Sequence, residues 1–260
     1  MGEGACLLEA VAVSKRFGAV EALRGVSLQV RAGEVTCLLG DNGAGKSTLI
    51  QILSGVFLPD SGGLRLEGEP VKFRTPADAI NRGICTVYQD LAIVPLMSVS
   101  RNFWLGREPT RGRGVLKRID SAYASKVARD ELAHIGIDLK DVKRPLGTLS
   151  GGQRQCVAIA RAAYFGATVL ILDEPTAALG VREATIVLGF IGHARERGLG
   201  IVLITHNPQH ALPVGDSFVV LSHGEVLAGF RKGEMKADEL ELLMAGGAEA
   251  IKLEKTILDF

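Results

Sequence analysis

The stretch GDNGAGKS, residues 40–47, constrains the fold of this chain more than any other feature. It fits the pattern G-x-x-x-x-G-K-[ST] and lies between a β-rich run, 34–39, and a helical pattern that ends at Gly55. A strand, a glycine-rich turn and a helix in this order form a phosphate-binding loop, because the glycines let backbone N–H groups converge on an anion at the helix N-terminus. The sequence therefore predicts an α/β nucleotide-binding domain.

The side chains of this loop have separate predicted roles. Lys46 is expected to reach the β- and γ-phosphates, Ser47 to hold Mg²⁺ through its hydroxyl, and Thr48 to support the loop. A turn that merely connects a strand to a helix would not need a buried lysine beside a hydroxyl, so we expect ATP and Mg²⁺ as ligands. The predicted nucleotide contacts from this segment are Gly40, Asn42, Gly43, Gly45, Lys46, Ser47 and Thr48.

Polar side chains follow three apolar strand patterns. Asp173 and Glu174 close the run VLIL, His206 follows IVLIT, and Gln89 follows ICTVY. Because ligands bind at the carboxyl edge of open α/β sheets, we expect Asp173 to hold Mg²⁺ and Glu174 to orient and deprotonate the attacking water. Gln89, also a predicted Mg²⁺ ligand, and His206 are positioned to sense a γ-phosphate. The alternatives are a structural histidine and a solvated cap of two carboxylates.

Strand and helix patterns alternate along most of the chain, which predicts a largely parallel sheet with right-handed crossovers. Strands are predicted at 25–30, 34–39, 84–89, 167–175, 199–206 and 217–230. Between 91 and 166 the spacing is helical throughout. We therefore expect one domain over 1–260 with a helical subdomain, 91–166, inserted into it, and a polar-faced helix with a frayed end after residue 232.

Composition excludes some functions. There are 30 Lys and Arg against 29 Asp and Glu, so a net charge of +1 gives no general attraction for nucleic acid or an anionic bilayer. The basic stretch 107–118 lacks interleaved aromatics and is interpreted as a solvated loop rather than a nucleic-acid site. No apolar run approaches the roughly 20 residues that span a bilayer, and no secretion signal is visible, so we expect residence in the cytoplasm. Most of the four cysteines lie in apolar runs and are expected in the core.

Five motifs follow one another in an order that resembles the nucleotide-binding subunit of an ABC transporter, from about residue 8 to residue 230. They are GDNGAGKST at 40–48, Gln89, LSGGQ at 149–153, LILDE at 170–174, and His206. The resemblance implies the ABC variant of the P-loop NTPase fold, with a mainly parallel core, an N-terminal antiparallel β part and the inserted helical subdomain. It also implies that Phe17 stacks on adenine; a core phenylalanine is the alternative.

In this family, the resemblance implies, LSGGQ serves the nucleotide held by a partner. Ser150, Gly151, Gly152 and Gln153 would present helix N-terminal N–H groups to a γ-phosphate across an interface. The chain has one set of motifs, so we expect a homodimer, or a pair with a homologous ATPase subunit, closed by ATP. Transmembrane permease subunits should contact the apolar run 91–97, unless it packs internally. The location implied is the cytoplasmic face of the inner membrane.

The motifs look most like the pentose and fructose branch of bacterial monosaccharide importers, which work with a periplasmic sugar-binding protein. Much of that branch uses a fused double subunit of about twice this length. Gly180 stands where the family usually has an aspartate that contacts the opposite subunit. The sequence therefore does not decide whether the two ATP sites communicate through this position. The choice of sugar belongs to other subunits. Rival interpretations are an exporter subunit, a non-transport ABC ATPase acting on DNA or ribosomes, and, more distantly, a P-loop kinase.

Overall fold

The computed structural model describes residues 4–112, 114, 117–134, 137, 139–177 and 179–244. Its core is a six-stranded sheet in the order β12-β11-β3-β10-β9-β6. All neighbours in it are parallel except the edge strand β12, which pairs antiparallel with β11. The strands are β3 (Val35–Leu39), β6 (Ile84–Val87), β9 (Val169–Asp173), β10 (Gly200–Ile204), β11 (Ser217–Ser222) and β12 (Glu225–Arg231). This confirms the predicted mainly parallel core.

A second sheet is antiparallel and is built around a long N-terminal hairpin. Its order is β2-β1-β4-β5, with β1 (Cys6–Phe17), β2 (Val20–Arg31), β4 (Ser61–Leu66) and β5 (Glu69–Val71). The sequence patterns gave 25–30 of β2 but missed β1. The reason is a bulge: Ala12 has a φ of 45°, and the pairing shifts register between Ala10 and Val13, so the period-two alternation of buried residues is broken there.

Strand β9 shows how the core sheet separates two apolar layers. Leu170 and Leu172 pack in the cluster that contains the helices of the inserted segment, whereas Val169 and Ile171 pack in the cluster that contains the antiparallel sheet. Successive side chains of a strand point to opposite faces, so a strand covered on both sides needs an unbroken apolar run. Asp173, at the carboxyl end of β9, is the only polar residue of the strand and the only one that is not fully buried.

The helices lie between and after these strands. They are α1 (Lys46–Leu53), α2 (Pro76–Asn81), α3 (Val99–Phe103), α4 (Ser121–His134), α5 (Gly151–Tyr164), α6 (Val181–Glu196) and α7 (Pro208–Val214), followed by a helical segment at 237–244. The sequence patterns missed α7, which is seven residues long and contains Pro213. The predicted frayed end, 245–260, lies outside the described residues.

The segment 91–166 leaves the sheet after β6 and returns at the adjacent strand β9. It contains α3, α4 and α5, which meet around a group of aromatic rings with centroids 5.1–6.0 Å apart: Phe103, Trp104, Tyr164 and Phe165. It also contains a two-residue ladder, β7 (Thr110–Arg111) with β8 (Arg118–Ile119), that the helical pattern did not predict. Strands this short carry no periodicity.

Two further sequence expectations concern the membrane and the cysteines. No helix among the described residues is long and apolar enough to cross a bilayer. Cys37 and Cys156 are fully buried, as expected of core thiols, while Cys6 and Cys85 are half-buried, and all four are free. Burial raises the pKa of the Cys156 thiol to about 12, so this thiol stays protonated and unreactive at neutral pH.

Candidate functional site

The glycine-rich loop 40–45 connects β3 to α1 and is wedged between other parts of the backbone. Gly40 and Gly45 have φ values of 144° and 104°, which favour glycine. A Cβ on Gly40 would lie 2.3 Å from the carbonyl oxygen of Leu221, and one on Gly45 would lie 2.6 Å from that of Ala22. The glycines are therefore needed both for backbone conformation and for close approach, and the loop is held in a cradle shape.

Lys46, the first residue of α1, lies beneath this cradle and is 8% exposed. Its Nζ donates to the carbonyl oxygens of Gly40 and Asp41 at 2.7 and 3.0 Å. Burial lowers the pKa of Lys46, and the nearby carboxylates of Glu174, Asp41 and Asp173 oppose that shift. A buried ammonium group folded onto a glycine loop fits the role of a phosphate ligand, since an anion would replace solvent at its remaining proton.

Asp173 and Glu174 lie at the carboxyl end of β9, on the same side as Lys46. Burial, followed by the charge of Glu174, raises the pKa of Asp173, while Lys46 acts to lower it. Strands β3, β10 and β9 are parallel neighbours, so Lys46, which follows the loop after β3, and the two carboxylates at the end of β9 lie at the same edge of the sheet. An anionic pair beside the exposed Ser47 hydroxyl fits Mg²⁺, which is usually held by one or two protein oxygens together with substrate phosphates. Among the residues described, no cluster of three or more His, Cys, Asp or Glu side chains offers an all-protein metal site.

Glu174 is held in an unusual conformation. Its φ is 48°, in the left-handed region that a non-glycine residue enters at a cost of the order of 1–3 kcal/mol. Its backbone N–H donates to Ile204 O at 3.0 Å, and its Oε1 accepts from both the backbone N–H and the Nδ1 of His206, at 3.1 and 2.8 Å. Glu174 Oε2 accepts no hydrogen bond from any described residue, which leaves it available to a water molecule.

The Glu174–His206 contact fixes which imidazole nitrogen carries hydrogen. An ionised carboxylate only accepts, so Nδ1 of His206 is the donor and Nε2 faces outward on a side chain that is 61% exposed, against 14% for Glu174. In the neutral ring Nε2 is then an acceptor, as is a phosphate oxygen. Contact between His206 and a γ-phosphate therefore requires a second proton on the imidazole or rotation of the ring away from Glu174.

Most of the remaining predicted side chains of this site are exposed. Asn42, Ser47 and Gln89 lie at the surface, and Thr48 is half-buried. Gln89 follows β6, the strand next to β9, and its side chain makes no hydrogen bond within the described part of the chain. It is therefore free to turn toward a bound phosphate or cation.

Phe17 ends β1 and is 42% exposed, so it is not the core phenylalanine of the alternative interpretation. Its ring meets the edge of the Phe57 ring at a centroid distance of 5.3 Å, and Lys15 Nζ lies 5.7 Å from its centroid. An exposed, laterally supported ring has a face available for stacking on another flat group.

The second glycine turn, 149–153, begins helix α5. Ser150 is the N-cap: its Oγ accepts from Gln153 N at 3.4 Å, and Gln153 Oε1 accepts from Ser150 N at 3.2 Å, which is a capping box. A Cβ on Gly152 would lie 3.0 Å from Glu183 O in α6, so this glycine allows α5 and α6 to pack closely. Gln153 thus organises the turn, while Ser150 is exposed at the helix N-terminus.

The structure does not bring this turn to the first glycine loop. No hydrogen bond or ion pair of the described residues joins 149–153 to 40–48. The turn contacts instead the segment that follows Glu174: a Cβ on Gly151 would lie 2.7 Å from Leu179 Cδ2. An exposed N-terminal anion site on α5 that forms no bond to the chain's own phosphate loop, as far as the described residues show, is consistent with a ligand held by another molecule.

The same segment after Glu174 is bonded to a histidine that the sequence patterns did not single out. His210 is half-exposed, and its Nδ1 lies 2.9 Å from Oγ1 of buried Thr176. The available signal was its spacing of four residues from His206 at the start of a helix.

The apolar run 91–97 divides between interior and surface. Leu91 and Ile93 pack against the core, whereas Leu96 is 92% exposed. Buried Asn102 holds the loop through Val94, accepting from its N–H at 2.8 Å and donating to its carbonyl oxygen at 2.9 Å. The loop therefore presents Leu96 to solvent from a fixed backbone.

A cavity of about 220 Å³ opens beyond Gln89, between β6 and helix α5. Tyr88, Arg107, Arg161 and Phe165 are among the residues that line it. Burial and the neighbouring Arg107 lower the pKa of Arg161, which shows that two guanidinium groups share this edge. Asp90 also lines the cavity, so two guanidinium groups face one carboxylate there, and the surplus positive charge between apolar walls is complementary to an apolar segment that carries a carboxylate.

Comparison with known proteins agrees with this geometry. A family model described as "ABC transporter" matches residues 23–177. The match includes the phosphate-binding loop, the α5 turn and the β9 carboxylates.

Three curated relatives were compared over almost the whole chain. The xylose/arabinose import ATP-binding protein XylG of Sulfolobus acidocaldarius is 45% identical, over 93% of this chain and 95% of its own length. The fructose import ATP-binding protein FrcA of Rhizobium meliloti is 43% identical, over 94% and 95%. A putative ribose/galactose/methyl galactoside import ATP-binding protein of Burkholderia lata is 39% identical over 93% of this chain, which spans 45% of that relative.

Solved structures give the same fold. The ADP conformation of MJ1267, an ATP-binding cassette of an ABC transporter, has a TM-score of 0.80 at 25% identity, covering 98% of this chain and 99% of that one. The dimeric cassette MJ0796 has a TM-score of 0.71 at 24% identity, covering 88% and 100%. The predicted ABC variant of the P-loop fold is confirmed.

Proposed function

The chain belongs to the ABC transporter family, and from this we propose that it is the ATP-hydrolysing subunit that energises import of a monosaccharide through a membrane permease. The observation that carries the enzymatic part is the convergence of Lys46, Asp173 and Glu174 at one edge of the core sheet. The sugar-import part is supported by the names of two relatives whose alignments cover nearly the full length of this chain and of the relative itself.

The residues of this chain divide the work of hydrolysis. The backbone of the glycine loop and Lys46 bind the phosphates of ATP, and Phe17 stacks on the base. Ser47, Asp173 and Gln89 would hold Mg²⁺, which offsets phosphate charge when bound. Glu174 Oε2 orients the attacking water and accepts its proton, while Oε1 stays bonded to His206.

ATP binding in this proposal also joins two chains. The exposed N-terminus of α5, capped by Ser150, would bind the γ-phosphate of the nucleotide held by the other copy, because it is not in contact with the chain's own loop. Each of two equivalent sites then needs both chains, which is the symmetry of a closed homodimer or of a pair with a homologous ATPase. Hydrolysis removes the shared ligand and lets the pair open.

The first experiment compares the wild type with Glu174→Gln in size-exclusion chromatography and phosphate release, with and without Mg-ATP. The substitution keeps the shape of the side chain and removes the base, so the variant should lose most hydrolysis and elute as a dimer when ATP is present. Glu196→Gln, the same chemical change at an exposed position on α6, is the matched control and should behave as wild type.

Two results would contradict the proposal. Phosphate release by Glu174→Gln at the wild-type rate would show that Glu174 is not the base. A variant that binds ATP and stays monomeric would exclude the ATP-closed homodimer, and the partner ATPase would then have to be a different chain.

We propose that permease subunits dock on the cavity beyond Gln89 and on Leu96. The exposed Leu96 on a fixed loop and the Arg107–Arg161 edge offer an apolar and cationic surface next to the catalytic strand ends. In this proposal the chain lies at the cytoplasmic face of the membrane, and a change in the occupancy of the cavity would reach Gln89 through its neighbours Tyr88 and Asp90, which line the cavity.

Leu96→Glu tests this docking surface. We expect unchanged ATP binding and basal hydrolysis, with loss of the stimulation that a co-reconstituted permease gives to the wild type. Leu58→Glu, which changes another exposed leucine outside the surface, is the control. Equal stimulation of the wild type and Leu96→Glu would exclude Leu96 from the interface.

The sugar can be tested in proteoliposomes that contain the chain, its permease and its binding protein. Uptake of labelled xylose, fructose and ribose is measured with ATP inside, using Glu174→Gln as the inactive control. ATP-dependent uptake of one of them supports a monosaccharide importer. Hydrolysis without uptake of any sugar, combined with export of a lipid or drug, would favour the exporter alternative.

A further inference from the structure

We propose that His210 is a positioning residue for hydrolysis, acting through Thr176 on the segment that carries Glu174. The inference rests on the proposed role of Glu174 as the base. The contact that motivates it is between His210 Nδ1, in helix α7, and Oγ1 of Thr176, at 2.9 Å. Thr176 is 3% exposed, so its hydroxyl is shielded from water, whereas the His210 end of the bond is half-exposed.

Helix α7 and the residue before its cap hold the catalytic segment at two points. His206 Nδ1 lies 2.8 Å from Glu174 Oε1, and four residues later His210 Nδ1 lies 2.9 Å from Thr176 Oγ1. Asn207 fixes the start of the helix between them, since its side chain accepts from Gln209 N at 2.9 Å. One helix start therefore anchors both residue 174 and residue 176.

Glu174 needs such anchoring because its backbone is in the left-handed region. The turn after it is closed by Ala177 N, which donates to Glu174 O at 3.1 Å. If Thr176 were released, this short turn would have freedom to relax toward an ordinary φ, and the Glu174 carboxylate would shift with it. Positioning of a base within about 1 Å strongly affects rate.

The same anchor reaches the second glycine turn. Leu179 N donates to Thr176 O at 3.3 Å, and the Leu179 side chain lies against Gly151 of α5. His210 thus holds a segment with the catalytic carboxylate at one end and a contact to the anion-binding turn at the other. We infer that it keeps the two in a fixed relation while ATP is hydrolysed.

The test uses Thr176→Val, which keeps the side-chain volume and removes the hydroxyl, and His210→Ala. Each should lower kcat for ATP by about fivefold, the effect of losing one net hydrogen bond. The KM for ATP and the Kd of a non-hydrolysable ATP analogue should stay within about twofold of the wild type, since neither residue forms a hydrogen bond to a described residue of the phosphate loop. Thr176→Ser and His210→Asn keep an oxygen or nitrogen at the bonding position and should restore most of kcat.

Two matched controls lie in the neighbouring helix α6. His193 bonds through Nδ1 to Gly189 O at 2.8 Å and Thr185 bonds to Val181 O at 2.9 Å, both within their own helix. His193→Ala and Thr185→Val should therefore leave kcat unchanged. The double variant Thr176→Val/His210→Ala should be no slower than the slower single variant, because both changes remove the same bond.

The outcomes separate three cases. A wild-type protein that does not hydrolyse ATP refutes the proposed function itself. A wild type that is active, with Thr176→Val and His210→Ala as active as the controls, refutes the positioning role alone. Multiplicative losses in the double variant, or losses in kcat that the conservative variants do not restore, would assign the bond to general stability instead, and thermal unfolding of all variants would show a matching decrease.

Discussion

Replacing Gly180 tests how helix α6 begins. Gly180 is the N-cap of this 16-residue helix, with φ −68° and ψ 162°, and no side chain caps it. Its conformation is open to any residue, and a Cβ built there meets no atom within 4 Å. Gly180→Asn or Gly180→Asp can therefore introduce an oxygen to accept from the free N–H groups of the first turn without strain.

The expected gain follows from what is already present. Asparagine exceeds glycine at an N-cap by a few tenths of a kcal/mol, and the charge of aspartate adds about 0.3–1 kcal/mol through the helix dipole. Glu183, in the first turn, reduces the second contribution by repulsion. We expect about 0.5 kcal/mol for Asn and up to about 1 kcal/mol for Asp, or roughly 1–4 °C in Tm for a chain of this size.

The assay is thermal unfolding without nucleotide, with Gly180→Ala as the control that removes glycine but offers no cap. Alanine should lower Tm, because it is a poorer N-cap than glycine. If Asn and Asp fail to raise Tm while alanine leaves it unchanged, the capping argument is wrong. The Hill coefficient for ATP in the same variants then tests the family expectation: a contact to the opposite subunit should respond to Asp and not to Asn.

Three other changes have distinct expected outcomes. Asp173→Asn should raise Tm without nucleotide at pH 8, and should raise it by less at pH 4. The raised pKa of Asp173 means that the fold disfavours the ionised carboxylate, and this penalty disappears as the pH falls through that pKa. An equal Tm difference at both pH values would contradict this reasoning. Gly152→Ala should lower the free energy of unfolding by about 1–3 kcal/mol in denaturant titrations, since the alanine Cβ would press on Glu183 of α6. An unchanged midpoint would show that α5 and α6 can move apart at no measurable cost. Phe17→Ala should weaken ATP binding in calorimetry by about tenfold through lost stacking, whereas Val20→Ala, an exposed neighbour, should not; equal affinities would remove Phe17 from the base site.

Sequence patterns predicted most of this site because its parts are contiguous. The glycine loop lies within eight residues, and the carboxylates and His206 directly follow apolar runs that only a buried parallel strand explains. The shared edge of such strands brings Lys46, Asp173, Glu174 and His206 together without any long-range information. The bulged strand β1 escaped detection because Ala12 interrupts its period, so local pattern fails where backbone irregularity begins.

Sequence by itself determined which groups the chain offers: a loop of the phosphate-binding pattern, two carboxylates after an apolar strand, and a second glycine turn at a helix start. Tertiary structure alone decided which of these groups meet. It packs the second turn against Leu179 and α6, bonds Thr176 to His210 across 34 residues, and exposes Leu96 while partly burying Ile93. Motifs are read from short-range spacing, whereas such contacts depend on how distant elements pack, which no local periodicity encodes.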